Sequence, residues 1–295
     1  HKAPHRPWQP AERHADLTFE SAGTEPPTFF DDYEHRATAA RDARMRVGRD
    51  LDREDLKGYP PLEVVADPTA YSRWALDRYL TDYLRCVVAV DEGVGRLLDH
   101  LDATGQADDT VVLYTSDQGF FLGEHGWYDK RFMYAESLRM PLLVRYPRLV
   151  PPGSVSDALV LNVDFAQTLL DLAGVPALDR MQGRSMVPLL SGAGGTAGWR
   201  ESAYYRYWEH LDGCHHVAAH RGVRTRDRKL VHYYVSGEWE LFDLDHDPAE
   251  LHSVHDDPAY ADDLARLRAE LDRLAAELGD DIPSTPPTTT GRGAL

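Results

Sequence analysis

Val111-Val112-Leu113-Tyr114-Thr115-Ser116-Asp117-Gln118-Gly119 is an apolar run ending in two hydroxyl residues, a carboxylate, an amide and a glycine. The turn-forming Asp108-Asp109-Thr110 precedes it. A short apolar run between turn signals predicts a buried strand, read here as parallel. Open α/β sheets place their chemistry at the carboxyl ends of such strands. The stretch therefore points to an α/β fold with a site at the strand tip. A second strand of the same kind is predicted over residues 140–146.

Upstream, Leu76, Leu80, Tyr83, Val87, Val90, Val94, Leu97 and Leu101 recur at spacings of four and three. That pattern puts one apolar stripe on a long helix over residues 71–104, and Gly105 follows as its stop. Residues 1–70 are rich in Pro and charge and read as an extended connection. It carries one helix, over residues 31–47, with Asp31-Asp32 as charge at its N-terminus. Downstream, residues 163–173 form an amphipathic helix that starts at Asp164 and ends before Gly174.

Gly192-Ala193-Gly194-Gly195-Thr196-Ala197-Gly198 reads as a linker. Strands are predicted beyond it over residues 203–208, 217–224, 229–234 and 239–244, with Ser236-Gly237 as a hairpin turn. A helix over 260–278 carries Leu264, Leu267, Leu271, Leu274 and Leu278 at helical spacing. Antiparallel strands backed by one helix make an α+β subdomain. The division expected is 1–195, 196–282 and a Thr/Pro-rich disordered tail, 283–295.

The chain has 295 residues and a formal charge of −17, which argues against a nucleic-acid or anionic-membrane partner. No apolar run has the length of a membrane span. A bound divalent cation or a local cluster of cations can still reverse the field inside one pocket. Cys86 lies in the apolar helix and reads as a buried free thiol rather than as a partner of Cys214.

Asp117 and Gln118 offer two hard oxygen ligands at a strand end, suited to Ca²⁺ or Mg²⁺. Lys130 could return an ammonium to the same place, against an anionic substrate. The plainer alternative is a turn with a solvated lysine, and spacing alone favours it. His125 reads equally as a support for the site or as a loop residue. His215, His216 and His220 crowd one predicted strand near Arg221 and Arg224, without the spacing of a usual zinc site. Trp127, Trp208 and Trp239 are core residues by default and sugar-stacking platforms as the alternative.

The segment from Thr115 to Lys130, continuing through Glu136 and Arg139-Met140-Pro141, resembles a signature region of the sulfatases. The resemblance extends to His1-Lys2-Ala3-Pro4-His5-Arg6-Pro7-Trp8, to Gly174-Val175-Pro176 with Gly183-Arg184-Ser185, and to Gly222-Val223-Arg224-Thr225 with Glu240-Leu241-Phe242-Asp243-Leu244. It implies an alkaline-phosphatase-like sheet flanked by helices, incomplete at its N-terminal side. It implies that Asp117 and Gln118 bind the divalent cation, that Lys130 contacts the sulfate, and that His5 reaches the leaving-group oxygen. His216, His220 and Arg224 become candidates for reading a sulfated sugar.

Sulfatases make a formylglycine nucleophile from a Cys/Ser-x-Pro-x-Arg motif. Neither Cys86 nor Cys214 stands in that motif. The family also uses an acidic pair far upstream of its His segment, whereas Asp31-Asp32 follows His5. The expectation is a C-terminal portion that needs an N-terminal half and does not turn over substrate by itself. The resemblance is nearest to sulfatases of glycosaminoglycans and of N-acetylglucosamine 6-sulfate. It implies a periplasmic or extracellular location, with a signal upstream of His1. Two alternatives stand beside it: a phosphate or phosphonate ester hydrolase of the same superfamily, and a non-catalytic fragment.

Overall fold

The computed structural model describes residues 2–19, 25–192, 196–211, 213 and 215–280. The expected tail, most of the expected linker's centre and Cys214 lie outside these residues. A 36-residue helix, α1 (Pro68–Ala103), begins with Asp67 accepting from the Thr69 N–H and with Pro at its start. Both are favoured at a helix N-terminus. Its stripe is buried as far as Val90 and exposed toward the C-terminal end. Leu76, Leu80 and Val90 are in the core, whereas Leu97 is 64% exposed. Trp8 is fully buried against Tyr79 of this helix. Gly105 ends it at φ +69°, as a C-terminal cap does.

The predicted strands at the candidate site are β1 (Val112–Thr115) and, after the short pair β2 (Phe121–Leu122) and β3 (Tyr128–Asp129), β4 (Leu142–Arg145). β1 and β4 pair with each other, Val112 opposite Arg145 and Thr115 opposite Leu142. That pairing is antiparallel, which corrects the parallel reading. An apolar run carries no sign of direction; the excursion between the two strands turns the chain back on itself. The burial expectation is also corrected, since Leu143 is 65% and Tyr114 36% exposed.

Residues 31–47 do not form one helix. The structure has only the short helices Thr38–Asp42 and Val47–Asp50 there. Between them the backbone is extended: Tyr128 N–H donates to Met45 O, and Arg46 bridges to Trp127. Asp31 is not charge at a helix start but a buried ion-pair partner of Arg36. Tertiary pairing has overridden the local pattern.

The helix α2 (Asp164–Leu172) begins at Asp164 as predicted, with that carboxylate fully buried and bonded by both Nη atoms of Arg200. The C-terminal expectation also holds. Strands β5 (Ala203–Tyr207), β6 (His220–Arg224), β7 (Arg228–Tyr233) and β8 (Glu238–Asp243) form one antiparallel sheet in that order. Gly237, at φ +79°, closes the β7–β8 hairpin. Helix α3 (Ala261–Leu278) lays Leu267 and Leu271 against Val223, Leu230 and Leu241.

Side chains alternate across a strand. The other face of this sheet therefore presents His220, Lys229, Val231, Tyr233, Glu240 and Phe242. It packs on Tyr33, Phe121, Trp127, Phe132 and Tyr134 in a second core. Three polar residues thereby lie fully buried: His220, Lys229 and Glu240. The sheet holds the 121–138 loop in place, and that loop carries Lys130.

Candidate functional site

Asp117 and Gln118 follow β1 directly and sit on the wall of a cleft of about 1620 Å³. Lys130, Arg131, Arg139 and Arg224 line the same cleft. The fold thus brings together four of the seven residues singled out in the sequence: Asp117, Gln118, Lys130 and Arg224. The Asp117 carboxylate is exposed, and its bond within the protein is a 3.2 Å contact from Ser116 Oγ. Gly119 N–H donates to Ser137 O at 2.8 Å, which ties the strand tip to the helical turn Ala135–Leu138.

A Cβ on Gly119 would lie 2.0 Å from Glu136 O. The neighbour is backbone and cannot swing away. Gly119→Ala is expected to lower stability by ~1–3 kcal/mol, read as a lower urea midpoint. An unchanged midpoint would show that the strand tip yields freely.

Lys130 is held from several sides. Its N–H donates to Asp129 Oδ1 at 2.7 Å, its carbonyl accepts from Ser137 Oγ at 2.9 Å, and its ammonium lies 5.8 Å from the Phe120 ring centre. Asp129 is itself buried, with His215 Nε2 3.0 Å from Oδ2 and Arg131 Nε donating to Oδ1 at 3.1 Å. Burial raises the Asp129 pKa, but His215, Lys130 and Arg131 outweigh it and hold the group well below the usual carboxylate range.

His125 is fully buried in this loop. Its Nδ1 lies 3.0 Å from Asp31 Oδ2 and 3.0 Å from Arg36 Nη1. Burial raises the Asp31 pKa, yet hydrogen bonds from His125 and Arg36 hold it at about 2. This histidine supports the loop from inside the core.

The remaining predicted site residues lie elsewhere. His5 is exposed, between the two cis peptides Ala3-Pro4 and Arg6-Pro7, with its Nδ1 2.7 Å from Arg6 O and its ring off the cleft wall. His216 is at φ +49° with Nδ1 3.0 Å from Leu211 O, also away from the wall. His220 is fully buried among Phe132, Tyr205, Tyr207 and Tyr233. Burial pushes its pKa down to about 4, so the ring is neutral and internal. Trp127 is core; Trp239 stacks on His232; Trp208 is 66% exposed beneath Arg206.

Asp117 and Gln118 suit a hard divalent cation in kind, since both supply oxygen and the carboxylate is barely committed within the protein. Six or more ligands are usual for Ca²⁺, so further oxygens must join these two. Among the described residues no group of three or more His, Cys, Asp or Glu is arranged to hold a metal. Cys86 is a buried free cysteine, as expected.

Comparison with known proteins gives this arrangement its class. A family model described as "Sulfatase" matches residues 2–175, and one described as "N-sulphoglucosamine sulphohydrolase, C-terminal" matches residues 123–277. The chain belongs to the sulfatase family. It is 40% identical to an N-acetylglucosamine-6-O-sulfatase of Bacteroides thetaiotaomicron, over 99% of this chain and 59% of that protein.

A solved structure described as a complex with its substrate D-glucosamine-2-N,6-O-disulfate superposes with TM-score 0.85 at 39% identity, over 98% of this chain and 66% of that one. A phosphonate monoester hydrolase from Silicibacter pomeroyi is more distant, with TM-score 0.64 at 28% identity, over 76% of this chain and 44% of that one. The alkaline-phosphatase-like sulfatase fold expected from the sequence is thus shown. The chain spans roughly three-fifths of the curated relative it matches.

Proposed function

We propose that this chain forms part of a sulfuric ester hydrolase that removes sulfate from a sulfated sugar, with 6-O-sulfated glucosamine as the substrate class. The convergence of Asp117, Gln118 and Lys130 on one arginine-lined cleft carries this reading. The net charge of −17 would repel an anionic ester, so a local cationic wall is what such a substrate requires. The identity to a 6-O-sulfatase supports the choice of sugar and position.

In this reading Asp117 and Gln118 hold Ca²⁺, or Mg²⁺, which would polarise the sulfate oxygens and favour attack at sulfur. Lys130 offsets charge that builds on the sulfate in the transition state. Arg224, on the same cleft, receives a polar group of the sugar. The exposed ring of His5 is assigned no step. The nucleophile, a formylglycine, and the other cation ligands come from an N-terminal half. Tyr114 on β1 and Leu143 on β4, paired opposite each other and both exposed, support such a partner.

The test joins this chain to a matching N-terminal half and follows sulfate release from glucosamine 6-sulfate. Lys130→Ala is expected to lower kcat/KM by roughly 100-fold, in the range seen for single groups that stabilise developing charge. Chelation should abolish turnover, and Ca²⁺ or Mg²⁺ should restore it. Undiminished turnover by Lys130→Ala would refute the assignment. Preference for a phosphonate ester over the sulfate ester would move the chain to the hydrolase class of its more distant relative.

A further inference from the structure

Lys130 is a flexible side chain whose ammonium must point into an open cleft to serve an anion. The residue before it has an unusual backbone: Asp129 sits at φ +72°, a left-handed conformation that Asp and Asn tolerate better than most residues. It is also the last residue of β3, paired with Phe121 of β2. The left-handed turn breaks the strand's alternation at that point and redirects the next side chain.

The Asp129 carboxylate then divides its lone pairs unevenly. Oδ1 accepts from the Lys130 N–H at 2.7 Å and from Arg131 Nε at 3.1 Å, and Oδ2 faces His215 Nε2 at 3.0 Å. The Lys130 ammonium lies 3.9 Å from Oδ1, a charge contact beyond hydrogen-bond length. The carboxylate thereby restrains the lysine without consuming its donors. His215 comes from the segment before β6, and its carbonyl accepts from Arg44 N–H at 2.7 Å. The C-terminal subdomain is thus tied to the loop at this carboxylate.

We infer that Asp129 is the positioning residue for Lys130, with His215 holding Asp129 from the C-terminal subdomain. The inference rests on the sulfate-binding reading of Lys130 given above. Asp129 does not touch the substrate; it acts through the lysine it orients.

Asp129→Asn keeps the left-handed backbone and an acceptor for the Lys130 N–H, and removes the charge. In the enzyme with both halves, this substitution is expected to lower kcat/KM at least tenfold. In a Lys130→Ala background the same substitution should change it less than twofold. Such a cycle separates action through Lys130 from a general loss of structure, which would lower both backgrounds alike. Equal losses in both, or no loss with Lys130 present, overturn the inference.

A second measurement needs no turnover. Acylation of lysine amines on the chain alone, followed by mass spectrometry, should label Lys130 several-fold faster in Asp129→Asn. Lys57, held by Asp82 at 3.0 Å, serves as the internal reference and should label at an unchanged rate. An unchanged Lys130 rate overturns the inference. If Lys130→Ala turns over normally, the functional reading fails, and the labelling still decides whether Asp129 holds the lysine.

Discussion

Glu250→Gln is expected to lower the unfolding free energy by ~3–5 kcal/mol, the cost of leaving one member of a buried ion pair without its partner. Lys229 is fully buried and Glu250 is 1% exposed, and the ammonium is paired with Glu250 Oε1. Burial lowers the Lys229 pKa, and Glu250 is the main influence opposing that fall. Glutamine has nearly the same shape, and it can still accept the Ala135 N–H that Glu250 Oε2 receives at 2.7 Å. The loss therefore reports the charge rather than a cavity.

The double variant Lys229→Met with Glu250→Gln removes both charges and should recover most of the stability. Well-packed apolar replacement of a buried pair is often neutral or better. Urea denaturation of the parent, the single and the double variant measures both steps. A single variant within about 1 kcal/mol of the parent would mean that the ammonium finds water or another partner.

The same region shows which parts of the molecule a sequence exposes. Helices α1 and α3 and the hairpin of β7 and β8 follow from spacing and from one turn glycine, because all of that information is local. The site segment is legible for a similar reason: Asp117, Gln118 and Lys130 lie within one loop, whose motif resembles that of a known family. Lys229 and Glu240 give no local sign of their burial, since a polar residue in a strand does not tell whether its face is covered. Here both faces of the sheet are covered.

Long-range pairing is invisible to such patterns. Asp31 meets His125 across 94 positions, and the Ala37 N–H donates to Glu240 across 203. Periodicity tells which face of an element is apolar but not which segment will cover it. For that reason Asp31-Asp32 reads as helix charge and becomes a buried partner. His220 has the chemistry of a ligand, and its enclosure by rings from three other segments leaves no local trace. Asp129 stands beside Lys130 in the sequence, and only its left-handed backbone and its contact with His215 reveal what it does.

Glu240→Gln is expected to remove a pH dependence worth about 3 kcal/mol, the cost of a shift of this size. Glu240 is fully buried on β8, with Ala37 N–H, Tyr134 OH and Tyr233 OH donating to it and Arg36 nearby. Burial outweighs those contacts and raises its pKa from 4.5 to about 7. Between these values the folded protein keeps a proton that the unfolded chain has released. Stability from this group is therefore full below pH 4.5 and is lost as pH rises through about 7.

The total stability of the protein hides this slope. His220 and His232 are pushed down from 6.5 to about 4, so the unfolded chain binds more protons there and stability from these groups rises with pH. The signature is instead the difference between variant and parent, in which the histidine contributions cancel. Glutamine resembles the protonated acid, so the two proteins should unfold at similar urea concentrations at pH 4.5. By pH 8 the variant should be the more stable, and the gap should open mainly between pH 5 and pH 7. Parallel stability curves across that range would show that Arg36 keeps Glu240 ionised throughout, and that this charge is as well compensated as those of Asp31 and Asp129.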